Sequence, residues 1–445
     1  MQQQSSATQT PLSHRGKLAL LPLVTFLALF LGVGFYYQSQ GVEFAFYQLP
    51  APVAIIPAIL LAFLLSRESL NHTIEEFVKG AGHPNIMTMC LIFLLAGGFS
   101  AVAKSTGAVD ATVGLGLHLI PTQLLLPGLF LIAAFIATAM GTSMGTLAAM
   151  APIGLGLAEG AGLDKALVAG ALVSGAIFGD NLSIISDTTI AATRTQGCEM
   201  RDKFKANLKL ALPAALIVVV LLAVNSSPTA PPPSELNNAW LVVPYLMILT
   251  MAVAGINVFV VLLSGIVVSL LMGSLVADYA LANAGNDIYN GFKQMQEVFI
   301  LAILLGGMSE LMRRQGGLTY MVNRLSRWVQ RLNVNKELGH SMGIAGLIAL
   351  ANICIANNTV SIIVTGEVAK ELAEEGGISA PRAASLLDIF ACVIQGIVPY
   401  GAQLLLVGAT FSVSPIEVIP YAWYCFVLAA VAIGSFIWAA KNQRD

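Results

Sequence analysis

The sequence predicts an all-α polytopic membrane protein made of two inverted-topology repeats, with about ten transmembrane spans, two re-entrant hairpins and two broken helices. Three observations predict this class. Of 445 residues, 57% are hydrophobic and only 10% charged, with a mean hydropathy of +0.80, whereas soluble domains carry about 25% charged residues. Apolar residues run on in stretches of about 20 instead of alternating, which favours helices over a barrel. In each half, two apolar segments are interrupted by polar clusters, a poor composition for a lipid-facing helix.

The composition also excludes other classes. A net charge of −2 offers no basic face for nucleic acid. Cys90, Cys198, Cys354, Cys392 and Cys425 are scattered without ligand spacing and read as packing thiols. A Walker loop, a His-rich metal motif and a nucleophile constellation are all missing, so neither ATP drive nor enzymatic chemistry is expected, and no cofactor beyond coupling ions.

The elements follow from apolar length, and their sides from the Lys and Arg of short loops. A polar tail with Arg15 and Lys17 precedes a first span at 18–37, too long for a signal core. The loop to Pro50 has no Lys or Arg and should lie outside. A span at 50–66 returns to an amphipathic cytoplasmic segment marked by Arg67, His72 and Lys79. After a span at 85–103, residues 104–122 carry one Lys and should lie outside. Residues 123–160 form a hairpin interrupted at Met140–Thr146. A crossing at 165–195 breaks at Gly179–Ser186 and ends among Arg194, Arg201, Lys203 and Lys205, which assigns that end to the cytoplasm. A span at 206–225 leads to a Lys- and Arg-free, Pro-rich loop, a periplasmic linker at 226–237.

The second half brings spans at 239–254 and 257–276, an amphipathic segment, and a span at 297–312 that ends in Arg313 and Arg314. A hairpin at 338–375 is interrupted at Ala356–Ser361, a crossing at 382–410 breaks at Gln395–Gly401, and a span at 416–438 returns to Lys441. Both termini fall in the cytoplasm, as in a multi-pass inner-membrane protein. Residues 1–225 are thus the first repeat and 238–445 the second. Anchoring the Gly162 turn on the Gly377 turn lays Thr142 and Ser143 on Asn357 and Asn358, and Asp180 on Gln395. The segment after Gly98 is nearly free of Lys and Arg while its partner after Gly307 is rich in them, so the halves face opposite sides. Inverted repeats with paired interrupted helices point to an alternating-access carrier whose site lies near the midplane.

The candidate site residues cluster at these interruptions. Asp180, Asn181, Ser183, Ser186, Asp187, Thr188 and Thr189 stand on the first break. An Asp at a helix centre costs about 2.5–3.5 kcal/mol on insertion scales, which argues for a purpose. Hard oxygens suit Na⁺ or a proton, and Asp180, Asp187 and Asn358 are the expected Na⁺ ligands. Asp180 and Asp187 equally suit capping of the second half-helix. The hairpin tips add Thr142, Ser143, Thr146, Asn357, Asn358, Thr359 and Ser361, which also suit turns. The second break adds Gln395, Pro399 and Gln403, and Asp388 and Glu367 are candidate proton relays.

The string Gly179–Thr189, GDNLSIISDTT, resembles the Gly-Asp-His/Asn-x-Ser-Pro-Ile-Ser-Asp-Thr-Thr signature of the NhaC family of Na⁺/H⁺ antiporters, and the likeness extends over roughly residues 85–410. The resemblance implies a homodimer with a fixed scaffold and a transport domain moving as an elevator. It points to the same break residues. Ile184 departs from the family's usual Pro, and Asn181 stands where His is common, which weakens any pH-sensing role there. Na⁺/H⁺ exchange is the first expectation. Relatives include organic-acid antiporters and amino-acid carriers, so Na⁺- or H⁺-coupled amino-acid or carboxylate transport is the alternative, and a channel a remote one.

Overall fold

The computed structural model describes residues 14–42, 45–119, 121–184, 186–226, 239–321, 324, 327 and 336–442, and all regular structure among them is helical. The predicted linker lies beyond Ser226 outside the described residues, as do the polar tail before His14 and the terminal Arg444.

The first half opens with α1 (Leu21–Ser39) and α2 (Ile56–Leu65), which pack together. The amphipathic segment is α3 (Leu70–Ala81), begun by Ser69, whose hydroxyl accepts the His72 N–H. Next come α4 (Pro84–Ser105) and α5 (Ala108–Leu119), so the stretch expected to lie outside is largely helical. The first hairpin is α6 (Leu125–Met140) with α7 (Ser143–Ala161); the first broken segment is α8 (Lys165–Leu182) with α9 (Asp187–Gln196). Helix α10 (Met200–Asn225) starts six residues before the predicted span and thereby takes Lys203 into its first turns.

In the second half, α11 (Val243–Val253) and α12 (Val258–Val276) precede α13 (Ala284–Gln294) and α14 (Gln296–Arg314), which meet at a bend of 47°. The second hairpin is α15 (Lys336–Ile355) with α16 (Asn358–Gly376), the second broken segment α17 (Ala380–Gln395) with α18 (Ala402–Phe411), and α19 (Trp423–Asn442) closes the chain. Among the described residues, six helices are long and apolar enough to cross a membrane alone, or eight if bent pairs count as single spans. Further apolar helices of 10–17 residues are shorter than a full crossing.

The interruptions fall where the polar clusters stand. Gly141 (φ 70°) ends α6 and Ala356 (φ 53°) follows α15, so each hairpin turns on one left-handed residue. Helices α7 and α16, and likewise α9 and α18, match at both ends at one constant sequence offset. Helix α8 lies at the centre and packs most extensively on α6. Its Gly175 and Gly179 press against the Phe130 and Ala134 carbonyls, an approach that any Cβ would obstruct.

Candidate functional site

Each interruption delivers a helix end to one place. Thr142 is extended and its hydroxyl accepts the Gly145 N–H at 3.4 Å, which starts α7 and leaves the Ser143 N–H free. That N–H and the Ser143 hydroxyl both donate to Asp180 Oδ2, at 3.2 and 2.7 Å. Asp180 stands in the last turn of α8 and is buried. A helix N-terminus therefore faces this carboxylate, and its dipole favours negative charge there.

The second half reaches the same point. Gln403, at the start of α18, donates to Ser143 Oγ at 3.0 Å. Gln395, at the end of α17, donates to Gln403 Oε1 at 2.9 Å and to the Ala356 carbonyl at 3.4 Å. One chain of hydrogen bonds thus joins both hairpin tips and both breaks. Gln395 Oε1 is buried without a partner, an acceptor left over for a donor or a cation.

A cavity of about 120 Å³ opens onto this chain. Asp180, Asp187, Thr188, Gln395 and Gln403 border it, as do Thr142 and Ser143 of the first tip and Asn357, Asn358 and Thr359 of the second. The three expected Na⁺ ligands therefore border one cavity. Neither aspartate caps a helix: Ser186 caps α9 by accepting the Thr189 N–H at 3.2 Å, and Asp187 is the exposed first helical residue. Asn357 caps α16, accepting the Val360 N–H at 3.0 Å.

Other expected residues stand elsewhere. Asn181, Ser183, Ser186, Thr189 and Asp388 stand outside the cavity lining, in a second, buried cluster. There Asp388 Oδ2 accepts from Lys203 Nζ at 2.7 Å, from Asn207 Nδ2 at 2.7 Å and from Asn181 Nδ2 at 3.2 Å. Tyr424 donates to Asn181 Oδ1 at 3.3 Å. Thr146 and Ser361 donate back into their own helices, to the carbonyls of Thr142 and Asn357. Pro399 lies in the unwound stretch without bordering the cavity, and Glu367 is exposed on α16, apart from both clusters. A relay through Glu367 therefore has no neighbouring site to serve.

The sequence reading missed Lys203, Asn207, Tyr424 and the α4 residues Asn85 and Thr88 that also border the cavity. Loop cations mark the cytoplasmic side, which predicts Lys203 at the rim; it is in fact buried, with 1% exposure. The available signal was its spacing of four from Asn207, which puts both on one face of α10.

The family model described as "Na+/H+ antiporter family" matches residues 12–227 and 234–440. The chain is 24% identical to the Malate-2H(+)/Na(+)-lactate antiporter of Bacillus subtilis, over 89% of this chain and 92% of that protein. It is 26% identical to an uncharacterized Na(+)/H(+) antiporter of Haemophilus influenzae, over 91% and 94%. It is 24% identical to the Na(+)/H(+) antiporter NhaC of Bacillus subtilis, over 86% and 89%.

Proposed function

The chain belongs to the Na⁺/H⁺ antiporter family, a family of membrane transporters, and from that premise we propose that it exchanges Na⁺ for H⁺ by competition at Asp180. The observation that carries this reading is the hydrogen-bonded chain Gln395–Gln403–Ser143–Asp180 beside the cavity. Asp180 supplies a buried carboxylate that must be neutralised to cross the membrane, by a cation or by a proton. Asp187 adds a second carboxylate on the wall, and Asn358 and the tip hydroxyls add neutral oxygens, which suit Na⁺. Such a set binds without holding its ion too tightly to release.

Alternating access follows if the halves are inverted repeats. The constant offset between α7 and α16 and between α9 and α18 supports the repeat. The contrast between the Lys/Arg-poor stretch after Gly98 and Arg313–Arg314 after Gly307 supports the inversion. The same charges favour an inner-membrane orientation with both termini in the cytoplasm.

Purified protein in liposomes tests the reading. An imposed Na⁺ gradient should drive an opposite movement of protons, and Asp180→Asn and Asp187→Asn should abolish it while the protein stays folded. Wild-type flux in both variants would refute the assignment. A second reading has its own support: the N-termini of α7, α9, α16 and α18 all border the cavity, and such ends bind carboxylates. Adding organic acids to the same liposomes separates the two, since Na⁺ or H⁺ flux that requires an organic acid would favour coupled carboxylate transport.

A further inference from the structure

We propose that Lys203 is a built-in counter-cation that keeps Asp388 out of ion exchange, so that one Na⁺ is traded for one H⁺ at Asp180 and no net charge moves. This rests on the antiport reading above and adds its stoichiometry.

The partners of Lys203 are all acceptors. An ammonium has three hydrogens and no acceptor. Lys203 Nζ meets three acceptors: Asp388 Oδ2 at 2.7 Å, Thr189 Oγ1 at 2.6 Å and the Asn181 carbonyl at 3.2 Å. Thr189 spends its own hydrogen on the Ser183 carbonyl at 2.7 Å, so it can only accept from the lysine. A neutral amine would present a lone pair to acceptors alone. The Asn181 carbonyl belongs to the end of α8, where the helix dipole favours a cation.

Asp388 is matched by donors in the same way. Three donors converge on its Oδ2, the geometry of a carboxylate. Its Oδ1 is buried without a partner. Lys203 and Asp388 are 1% and 0% exposed, and neither borders the cavity. Asp180 does border it. An incoming ion thus reaches Asp180 and finds Asp388 already paired.

The charge count follows. With Na⁺ or with H⁺ at Asp180, the buried set of Asp180, Asp388 and Lys203 is neutral, and both loaded forms cross with the same charge. Asp187 is exposed on the cavity wall at the start of α9, outside this buried set. A relay through Asp388 would have to break its 2.7 Å ion pair with Lys203.

The test uses the full-length protein in sealed liposomes, with K⁺ and valinomycin setting the potential and an internal dye reporting pH. At a fixed pH gradient, the Na⁺ gradient at which proton movement reverses should not change with potential. Exchange that moves one net charge would instead shift it about tenfold for each ~59 mV. The paired variant Lys203→Met/Asp388→Asn should keep the one-for-one ratio, whatever its rate. A wild-type reversal point that follows the potential overturns the proposal, as does a folded paired variant that has lost coupling or changed its ratio. If the paired variant does not fold, the wild-type reversal point decides alone. Absence of any Na⁺-driven proton movement in the wild type is a separate result: it removes the antiport reading, and this assignment with it.

Discussion

At the residue scale, the buried carboxylates Asp180 and Asp388 differ in their neighbours, and their variants should differ accordingly. Removing one member of a buried ion pair leaves an uncompensated charge and costs about 3–5 kcal/mol, whereas replacing both is often neutral. Lys203→Met should therefore destabilise the protein by about that amount, and adding Asp388→Asn should restore most of it; thermal unfolding in detergent measures both. At Asp180 the expected loss is functional. Ser143→Ala removes the 2.7 Å hydroxyl donor and the acceptor used by Gln403, yet keeps the backbone N–H. A hydrogen bond to a charged group contributes about 1.5–3 kcal/mol, so half-saturating Na⁺ should rise roughly tenfold or more with little change in melting temperature. An unchanged Na⁺ dependence would show that this hydroxyl does not hold the carboxylate in its binding form. Asp180 was legible in the sequence because a carboxylate inside an apolar run stands out. Lys203 was not, because counting cations near span ends cannot tell a rim lysine from one that the next helix carries inward.

At the scale of elements, small residues and one acidic anchor set the packing. Gly175 of α8 lies against the Phe130 carbonyl of α6. Gly175→Val should cost about 1–3 kcal/mol or more through overpacking, and lower the melting temperature accordingly. The amphipathic α3 docks on α14, with Gly80 against Gly306 and Gly307. Glu76 ties the two together, meeting Lys79 at 2.6 Å and Arg314 at 2.9 Å. The hydrogen bond from Lys79, with Arg314 nearby, holds the Glu76 carboxyl below its ordinary value of 4.5. A lowered folded-state value means that the pairing stabilises fully above that ordinary value and fades as pH falls through the folded one. Melting temperature should thus drop on acidification below about pH 4.5, and Glu76→Gln should flatten that part of the profile; equal slopes would remove Glu76 from the account. The helices and breaks were readable because Gly and polar clusters interrupt apolar runs. The contact between α3 and α14 was not, since nothing local records which distant glycine a glycine will meet.

At the scale of the whole molecule, the question is whether the cavity opens to one side at a time. Four interruptions, far apart in the chain, border a single cavity of about 120 Å³, and a site at such a junction changes sides if one part of the protein moves against the rest. The sequence supplied the offset between the halves, because turn chemistry repeats even where identity is weak. It did not supply the meeting of the tips, which depends on how α6, α8 and α17 stack. Thr359 at the second tip borders the cavity and is a suitable probe. In a background with Cys198→Ser, which removes the native cysteine that is not buried, Thr359→Cys should react with a membrane-impermeant thiol reagent. In a carrier, an imposed Na⁺ gradient that speeds labelling from one face must slow it from the other, because the population exposing the cavity outward is taken from the population exposing it inward. In a channel, the open form admits reagent from both faces, and the two rates rise and fall together. Measured separately on right-side-out and inverted vesicles, opposed changes support alternating access, and parallel changes would replace it with a continuous pore.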